Sequence, residues 1–164
     1  MSDLVERAVE TTRPAMHQRQ HQLTVAIPPE VLWLDVDPAR MEQVLVNLLT
    51  NAAKYTEKGG RIWLTARADG DTIELQVRDS GMGIAAELLP YIFDLFTQAD
   101  RSLDRSQGGL GIGLCLVKKI VEMHGGSVTV DSVLGRGSAF AVRMPQMVNP
   151  PVLPLPSGKT EVRA

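Results

Sequence analysis

The chain has 164 residues and a formal net charge of −2, with 44% hydrophobic and 22% charged residues, which together predict one folded domain and exclude a disordered chain. Because no long run of Lys or Arg is present, neither nucleic acid nor an anionic membrane surface is expected as a partner. The apolar stretches fall short of the roughly 18–20 residues that span a bilayer, and the single Cys115 favours a cytoplasmic protein over one built on disulfides.

The first part of the chain is predicted to be a helix followed by two short extended segments. The helix covers residues 4–20 and is expected to be interrupted at Pro14, because proline lacks the amide proton that an inner helical turn needs. The extended runs cover residues 23–27 and 31–36 and are separated by a pair of prolines.

A second helix is predicted to begin at Asp37, which can act as an N-cap before a proline in the first turn. Its apolar residues repeat at helical spacing: Met41, Val44, Leu45, Leu48, Leu49 and Ala52. The next segments, residues 61–67 and 72–78, alternate between apolar and polar residues around a glycine-bearing turn. This pattern predicts a β-hairpin.

The second half is predicted to contain a long loop, a third helix and a closing pair of strands. Residues 97–109 show neither helical nor strand periodicity and predict a long loop of functional importance. The apolar stripe of the helix that follows consists of Leu114, Val117, Ile120 and Val121. Alternation on both sides of a turn at residues 134–137 predicts two strands.

These elements predict an α+β chain in which one sheet carries helices on one face, a two-layer α/β sandwich. The domain is predicted to cover residues 1–145. Five of the ten prolines fall from Pro145 onward, so residues 146–164 are predicted to form a proline-rich linker or extended tail.

One face of the second helix carries Asn47, Asn51 and Lys54 at positions i, i+4 and i+7. Amide oxygens suit the coordination of Mg²⁺, and an ammonium group suits the neutralisation of phosphate. An ordinary solvated helix face is the alternative interpretation.

Strand parity singles out Asp79, because Ile73, Leu75 and Val77 alternate inward and the same parity directs Asp79 to the apolar face. A carboxylate in that position needs a hydrogen-bond donor, and the amino group of adenine is a suitable one. Glycines at 81 and 83 allow the backbone to approach a flat ligand closely. The alternative is an aspartate that caps a tight turn.

A second glycine cluster opens the third helix. Four glycines fall among residues 108–113, where free amide groups and the helix dipole can bind a polyphosphate. Arg105 precedes them in the predicted loop and comes within reach of a terminal phosphate if the loop closes.

Two other phosphate motifs compete with this interpretation. Residues 81–86 match the dinucleotide fingerprint G-x-G-x-x-A, but no repeated β-α-β pattern surrounds them. Residues 158–160, Gly-Lys-Thr, imitate the end of a P-loop, but Leu153 stands where its first glycine belongs.

Taken together, these segments resemble the catalytic domain of bacterial sensor histidine kinases, which has the Bergerat ATP-binding fold shared with type II topoisomerases, heat-shock chaperones and mismatch-repair ATPases. The resemblance extends over about residues 4–144. The matching segments are QVLVNLLTNAAKYT at 43–56 (the N box), DSGMGI at 79–84 (G1), IFDLF at 92–96 (F), GLGIGL at 109–114 (G2) and GRGSAF at 135–140 (the last glycine motif).

This resemblance implies a mixed, mostly antiparallel sheet and the binding of ATP with Mg²⁺. It implies that Asn51, helped by Asn47, holds the metal, and that Lys54 and Arg105 contact phosphate oxygens. Asp79 would recognise adenine. The implied nucleotide contacts are Asn51, Tyr55, Asp79, Gly81, Gly83, Ile84, Gly109, Leu110, Gly111, Ile112, Gly113 and Leu114.

Where the topoisomerase-like relatives carry a glutamate that activates water, this chain has Asn47, which favours transfer to another nucleophile over hydrolysis. Two positions depart from the family pattern: Asp94-Leu95 replaces the usual Glu-Pro of the F box, and Leu110 replaces the usual Thr or Ser of the G2 box.

None of the histidines, His17, His21 and His124, begins the acceptor motif of the family. The expected partners are therefore a separate helical domain that bears the phosphoacceptor histidine and, downstream, a response-regulator receiver domain, with this fragment largely monomeric. A degenerate nucleotide-binding scaffold and an ATP-hydrolysing enzyme are the alternatives.

Overall fold

The computed structural model describes residues 1–30, 32–95 and 112–147. The loop predicted at 97–109 and residues 148–164 of the predicted tail lie outside the described residues. The helices are α1 (Ser2–Gln18), α2 (Pro38–Tyr55) and α3 (Gly113–Met123), with a single 3-10 turn at Leu89–Tyr91. The strands are β1 (Gln22–Ala26), β2 (Arg61–Asp69), β3 (Thr72–Asp79), β4 (Ser127–Val133) and β5 (Gly137–Pro145).

The strands form one sheet in the order β1-β2-β3-β5-β4. The β1–β2 pair is parallel and the other three pairs are antiparallel, so the sheet is mixed and mostly antiparallel. α2 packs on β3 and on both other helices, and α3 packs on β4. The predicted α+β class and two-layer arrangement are confirmed. None of the helices in the described ranges is long and apolar enough to cross a membrane.

Two predicted details of the first forty residues were wrong. α1 runs through Pro14 without interruption, because its stripe of Leu4, Val5, Ala8, Thr12 and Met16 is buried and this burial outweighs one missing backbone hydrogen bond. Residues 32–36 form no strand: Leu34 makes one isolated bridge to Gln146, while Leu32 is buried in the core.

α2 begins as its sequence predicts. The Asp37 side chain accepts hydrogen bonds from the backbone N–H groups of Ala39 and Arg40, at 2.9 and 3.2 Å, and so caps the helix. The apolar stripe of α2 is fully buried against the sheet and α1, and includes Met41, Val44, Leu45, Leu48 and Leu49. The cap and the stripe together fix the rotation of α2, and hence the direction of its polar face.

The outer face of the sheet, opposite the helices, carries a buried carboxylate. Glu74 is 5% exposed and lies in register with Arg67 on β2 and Arg143 on β5. Both guanidinium groups contact it, at 2.8 and 2.9 Å. Burial by itself raises the pKa of Glu74, but hydrogen bonds from Arg143 and Arg67 outweigh it and hold the pKa below its usual value.

Replacing Glu74 by Gln should lower the free energy of unfolding at pH 7 by about 1–2 kcal/mol, since two partly exposed arginines lose their charged partner. A carboxylate whose folded-state pKa is depressed contributes stability above its unfolded pKa and loses it as the pH falls through the folded value. The gap between wild type and E74Q, measured by urea unfolding, should therefore close below about pH 4. The exposed Glu57 provides the control, and E57Q should have the same free energy of unfolding as wild type at every pH. If E74Q remains less stable than wild type in acid, the charge of Glu74 does not account for its contribution to stability.

Candidate functional site

The carboxylate of Asp79 lies at the end of β3 and faces the helix layer, as strand parity predicts. It is 5% exposed, and its Oδ1 accepts a hydrogen bond from the N–H of Gly81 at 2.8 Å. Burial raises the pKa of Asp79, although the backbone N–H groups of Gly81 and Ser138 oppose this rise. Within the part of the chain that the structure describes, this buried carboxylate has no cationic partner, and it is therefore well suited to accept a hydrogen bond from a ligand.

Gly81 brings this carboxylate against the C-terminal end of α2. A Cβ atom on Gly81 would lie 2.3 Å from the carbonyl oxygen of Tyr55 and 2.8 Å from Oδ1 of Asp79. The next residue, Met82, donates its N–H to the same Tyr55 oxygen at 3.1 Å. Only glycine therefore allows the segment after β3 to pass this close to α2.

The same segment is tied to the turn between β4 and β5. Gly83 has φ +70°, and a Cβ there would lie 2.1 Å from the carbonyl oxygen of Val133. Ile84 donates its N–H to the hydroxyl of Ser132 at 2.8 Å, and that hydroxyl donates to Gly137 O at 3.0 Å. The site prediction missed Ser132, although its inward parity with Val128 and Val130 marks it as a polar residue on an apolar face.

The polar face of α2 meets the start of α3. Asn47, Asn51 and Lys54 are all half-buried. The side-chain oxygen of Asn47 is 3.4 Å from the position of a Cβ on Gly113, the first residue of α3. Two segments that are 66 positions apart in the sequence, residues 47 and 113, are thus brought into contact, which places an amide oxygen beside the N-terminus of a helix.

Lys54 and Tyr55 form a pair at the end of α2. The ammonium nitrogen of Lys54 is 4.9 Å from the centre of the Tyr55 ring, which is 39% exposed. Residues that follow α1 contact the last carbonyl oxygens of α2: Arg19 donates to Lys54 O at 2.8 Å, and a ring nitrogen of His21 lies 2.9 Å from Ala53 O. These two contacts could not be predicted from local sequence patterns, because Arg19 and His21 come from the distant segment between α1 and β1.

The predicted phosphate-binding residues are described only in part. Ile112 is 38% exposed directly before α3, and Leu114 in its first turn is half-buried. Four predicted site residues lie outside the described residues: Arg105, Gly109, Leu110 and Gly111. Phe96 of the F box does too, whereas Phe93 packs edge-on against Phe140, with ring centres 6.4 Å apart, and so belongs to the core.

The described part of the chain contains no group of three or more His, Cys, Asp or Glu side chains arranged to hold a metal ion. The described residues nearest the start of α3 offer a divalent cation neutral oxygens, such as the amides of Asn47 and Asn51, which oxygens of a bound ligand could complete. Mg²⁺ accepts such a set, because it binds hard oxygen ligands and is usually shared with substrate phosphates.

The arrangement of a buried Asp79, amides on α2 and a glycine-led α3 agrees with the sequence comparisons. The family of histidine kinase-, DNA gyrase B- and HSP90-like ATPases matches residues 36–147. The chain belongs to this family. Among its curated relatives, the circadian input-output histidine kinase CikA of Synechococcus elongatus is 44% identical over 122 residues, which are 74% of this chain and 16% of the relative.

A second sensor kinase gives a similar result. The sensor histidine kinase RcsC of Escherichia coli is 42% identical over 133 residues, which are 80% of this chain and 14% of RcsC. The chain thus spans less than a fifth of the length of either relative.

Solved structures of histidine kinases share the fold. The catalytic domain of histidine kinase ThkA superposes with a TM-score of 0.78 at 26% identity, covering 89% of this chain and 92% of that domain. The kinase ShkA, solved in complex with AMPPNP, superposes with a TM-score of 0.77 at 31% identity, covering 88% of this chain and 29% of ShkA. This family member therefore has relatives that are sensor histidine kinases and structural neighbours that are histidine kinases, among them the ThkA catalytic domain.

Gly83 and Gly135 form a matched pair for testing how tightly the site is packed. Both have positive φ, +70° and +80°, but a Cβ on Gly135 meets nothing within 4 Å. G135A should lower the free energy of unfolding by about 1–2 kcal/mol, the cost of a left-handed backbone for a residue with a Cβ. G83A should cost roughly 2 kcal/mol more, because its Cβ collides with backbone. If urea unfolding shows that G83A and G135A lower the free energy of unfolding equally, the segment that contains Gly83 is able to move away from Val133.

Proposed function

We propose that this chain binds ATP with Mg²⁺ and transfers the γ-phosphate to a histidine on a separate helical phosphoacceptor domain, in two-component signal transduction. The observation that carries this proposal is the buried Asp79 carboxylate, which has no cationic partner among the described residues and lies beside the end of a helix that presents two amides. Membership of the ATPase family and similarity to sensor histidine kinases support the same function.

Asp79 would accept the hydrogen bond of the adenine amino group. The glycine-bearing segment that follows it would form one wall of the base site, with Gly81, Gly83 and Ile84 near the base, and Tyr55 would pack on its other side. This division agrees with the geometry, because the segment is already held against both the end of α2 and the β4–β5 turn.

The phosphate end of the site would be built on α2 and α3. Asn51, helped by Asn47, would hold Mg²⁺, which when bound neutralises negative charge on the phosphates. Lys54 would leave the Tyr55 ring to contact a phosphate oxygen. The start of α3, including Ile112, Gly113 and Leu114, would supply backbone N–H groups, and we propose the same role for Gly109, Leu110 and Gly111, with Arg105 bracing the γ-phosphate.

The transfer step needs positioning and charge neutralisation more than it needs acid–base chemistry. A neutral imidazole nitrogen of the partner attacks the γ-phosphorus, the bond from that phosphorus to the β,γ-bridging oxygen breaks, and ADP leaves. The chain carries Asn47 where a water-activating glutamate would favour hydrolysis. A base that receives the imidazole proton would belong to the partner domain.

The phosphohistidine would then supply a receiver domain of a response regulator. We propose a cytoplasmic location for the fragment, and a largely monomeric state because no part of the function requires a second copy of it.

The transfer is tested by mixing the chain with Mg-ATP and a separately produced phosphoacceptor domain, and measuring acid-labile phosphate on the partner histidine. Asn51→Ala should reduce transfer by at least about 100-fold, since the metal loses its main protein ligand, while some Mg-independent nucleotide affinity remains. Thr50→Ala, at an exposed neighbouring position of α2, is the control and should transfer normally. Free phosphate without labelled partner would instead support hydrolysis, and binding without either product would support a scaffold.

Replacing Asp79 by Asn separates binding from folding. A buried carboxyl whose pKa is raised destabilises the fold progressively as the pH rises through the folded-state value, so D79N should leave the free energy of unfolding at pH 7 unchanged or increased. ATP affinity should nevertheless fall by about 10-fold or more, because a charged acceptor of the adenine amino group is lost. Calorimetric titration and urea unfolding of the same preparation measure both effects. Parallel losses of affinity and stability would count against the adenine contact.

A further inference from the structure

The outer face of the sheet carries a tryptophan that two arginines contact. Trp63 on β2 alternates with core residues, is half-buried, and pairs directly with Arg78 on β3. The guanidinium carbon of Arg78 lies 5.3 Å from the centre of the Trp63 ring, and that of Arg61 lies 5.4 Å from it. These are cation–π distances, and the contacts hold both guanidinium groups at defined positions. Arg61, Trp63 and Arg78 are called the Trp63 cluster below.

The two arginines of the Trp63 cluster are close together and carry the same charge. Arg61 precedes Trp63 by two residues and is therefore the diagonal neighbour of Arg78, at a separation of about 7–8 Å. Both arginines are exposed, and neither forms an ion pair with any residue in the ranges 1–30, 32–95 and 112–147. Like charges on neighbouring positions repel each other, and an anion bound to both would relieve that repulsion.

A second pair of arginines on the same face shows how this chain pairs such cations. Arg67 and Arg143 lie on either side of Glu74 and contact its carboxylate at 2.8 and 2.9 Å. Two guanidinium groups around one carboxylate thus occur here once already, with all three groups supplied by the chain. The Trp63 cluster has two guanidinium groups without a carboxylate among the described residues, and its charge is complementary to a carboxylate from another molecule.

The surroundings of the Trp63 cluster favour an acidic protein segment over nucleic acid or a membrane. Both guanidinium groups contact the indole ring, so the ring is not free to stack on a nucleobase. The positive charge is also local, because the whole chain has a net charge of −2 and Asp131 lies on the same face, two strands from Arg78. A duplex or an anionic bilayer binds broader positive surfaces than this.

The neighbouring positions leave room for a polypeptide segment. Ala139 on β5 pairs with Arg78, and Thr24 on β1 pairs with Trp63, so small uncharged side chains lie on both sides of the cluster. A segment laid across these strands reaches both arginines without meeting a bulky side chain at either position.

We infer that the Trp63 cluster docks an acidic segment of a partner protein, whose carboxylates accept hydrogen bonds from the guanidinium groups of Arg61 and Arg78. Asp79 faces the helix layer, on the other side of the sheet, so the docked segment and a ligand at Asp79 can be bound at the same time. The inference does not depend on ATP binding or on phosphoryl transfer.

The test titrates hexaglutamate peptide into the isotope-labelled chain at about 0.1 M salt, where charges more than about 10 Å apart are largely screened. The NMR signals of the Arg61 and Arg78 side chains and of the Trp63 indole N–H should shift. R61Q and R78Q should each weaken binding about three- to tenfold, because each removes one charged hydrogen-bond donor group. The double variant R61Q/R78Q should abolish binding, and the backbone amide spectrum of each variant verifies its fold.

Arg40→Gln is the control, because it removes the same charge at an exposed position of α2, in the helix layer. R40Q should bind hexaglutamate within about twofold of wild type. If the double variant binds as wild type does, or if the shifts occur only at other residues, the inference is overturned. Equal shifts with hexaglutamine would show that charge is not recognised, and tighter binding of oligothymidylate or of phosphatidylglycerol vesicles would assign the cluster to nucleic acid or lipid; each of these results also overturns the inference.

Discussion

Asp79 is an ionisable residue on a face of the central strand β3 that otherwise carries only core residues. Because it is buried there, only certain residues can occupy the neighbouring positions. Its carboxylate is stabilised by backbone N–H groups, which in turn need a chain that folds back tightly after β3. Gly81 allows that path past α2, and Gly137, where a Cβ would lie 2.0 Å from the carbonyl oxygen of Asp79, allows β5 to approach from the other side. Glycine is therefore needed at both positions, because a Cβ atom at either one would collide with the backbone that surrounds the Asp79 carboxylate.

α2 connects the base site to the phosphate site. Its cap at Asp37 and its buried apolar stripe set its rotation, so that Asn47 faces the start of α3 while its C-terminal end meets the segment after Asp79. Arg19 fixes that end by binding its last carbonyl oxygens. Small shifts of α2 would therefore displace both ends of a bound nucleotide together, which explains why its C-terminal end is held by side chains from outside the site.

The order of elements, the fold class and the inward direction of Asp79 could be predicted because they depend on local periodicity and on caps. Register between strands could not be predicted in this way. Alternation alone places Glu74 on the solvent side of β3, yet it is buried, because Arg67 and Arg143 are its direct neighbours across two strand pairs. The continuity of α1 through Pro14 likewise depends on tertiary burial. Whether residues 32–36 form a strand depends on whether a sheet edge is free to pair with them.

β3 carries two buried carboxylates on opposite faces of the sheet. Their different surroundings distinguish a carboxylate that stabilises the fold from one that is suited to bind a ligand. Glu74 is neutralised by two arginines, and its pKa is lowered. Among the described residues Asp79 has only backbone donors, and burial raises its pKa. A fold that merely tolerates a buried acid supplies the kind of partners that Glu74 has. The described residues contain two buried side-chain atoms without partners, Nδ1 of His21 and Oγ1 of Thr56. Thr56 ends α2, and the other ring nitrogen of His21 lies 2.9 Å from Ala53 O near the same helix end. The outer face of the same sheet shows that this chain pairs a buried charge with arginines that lie in register with it.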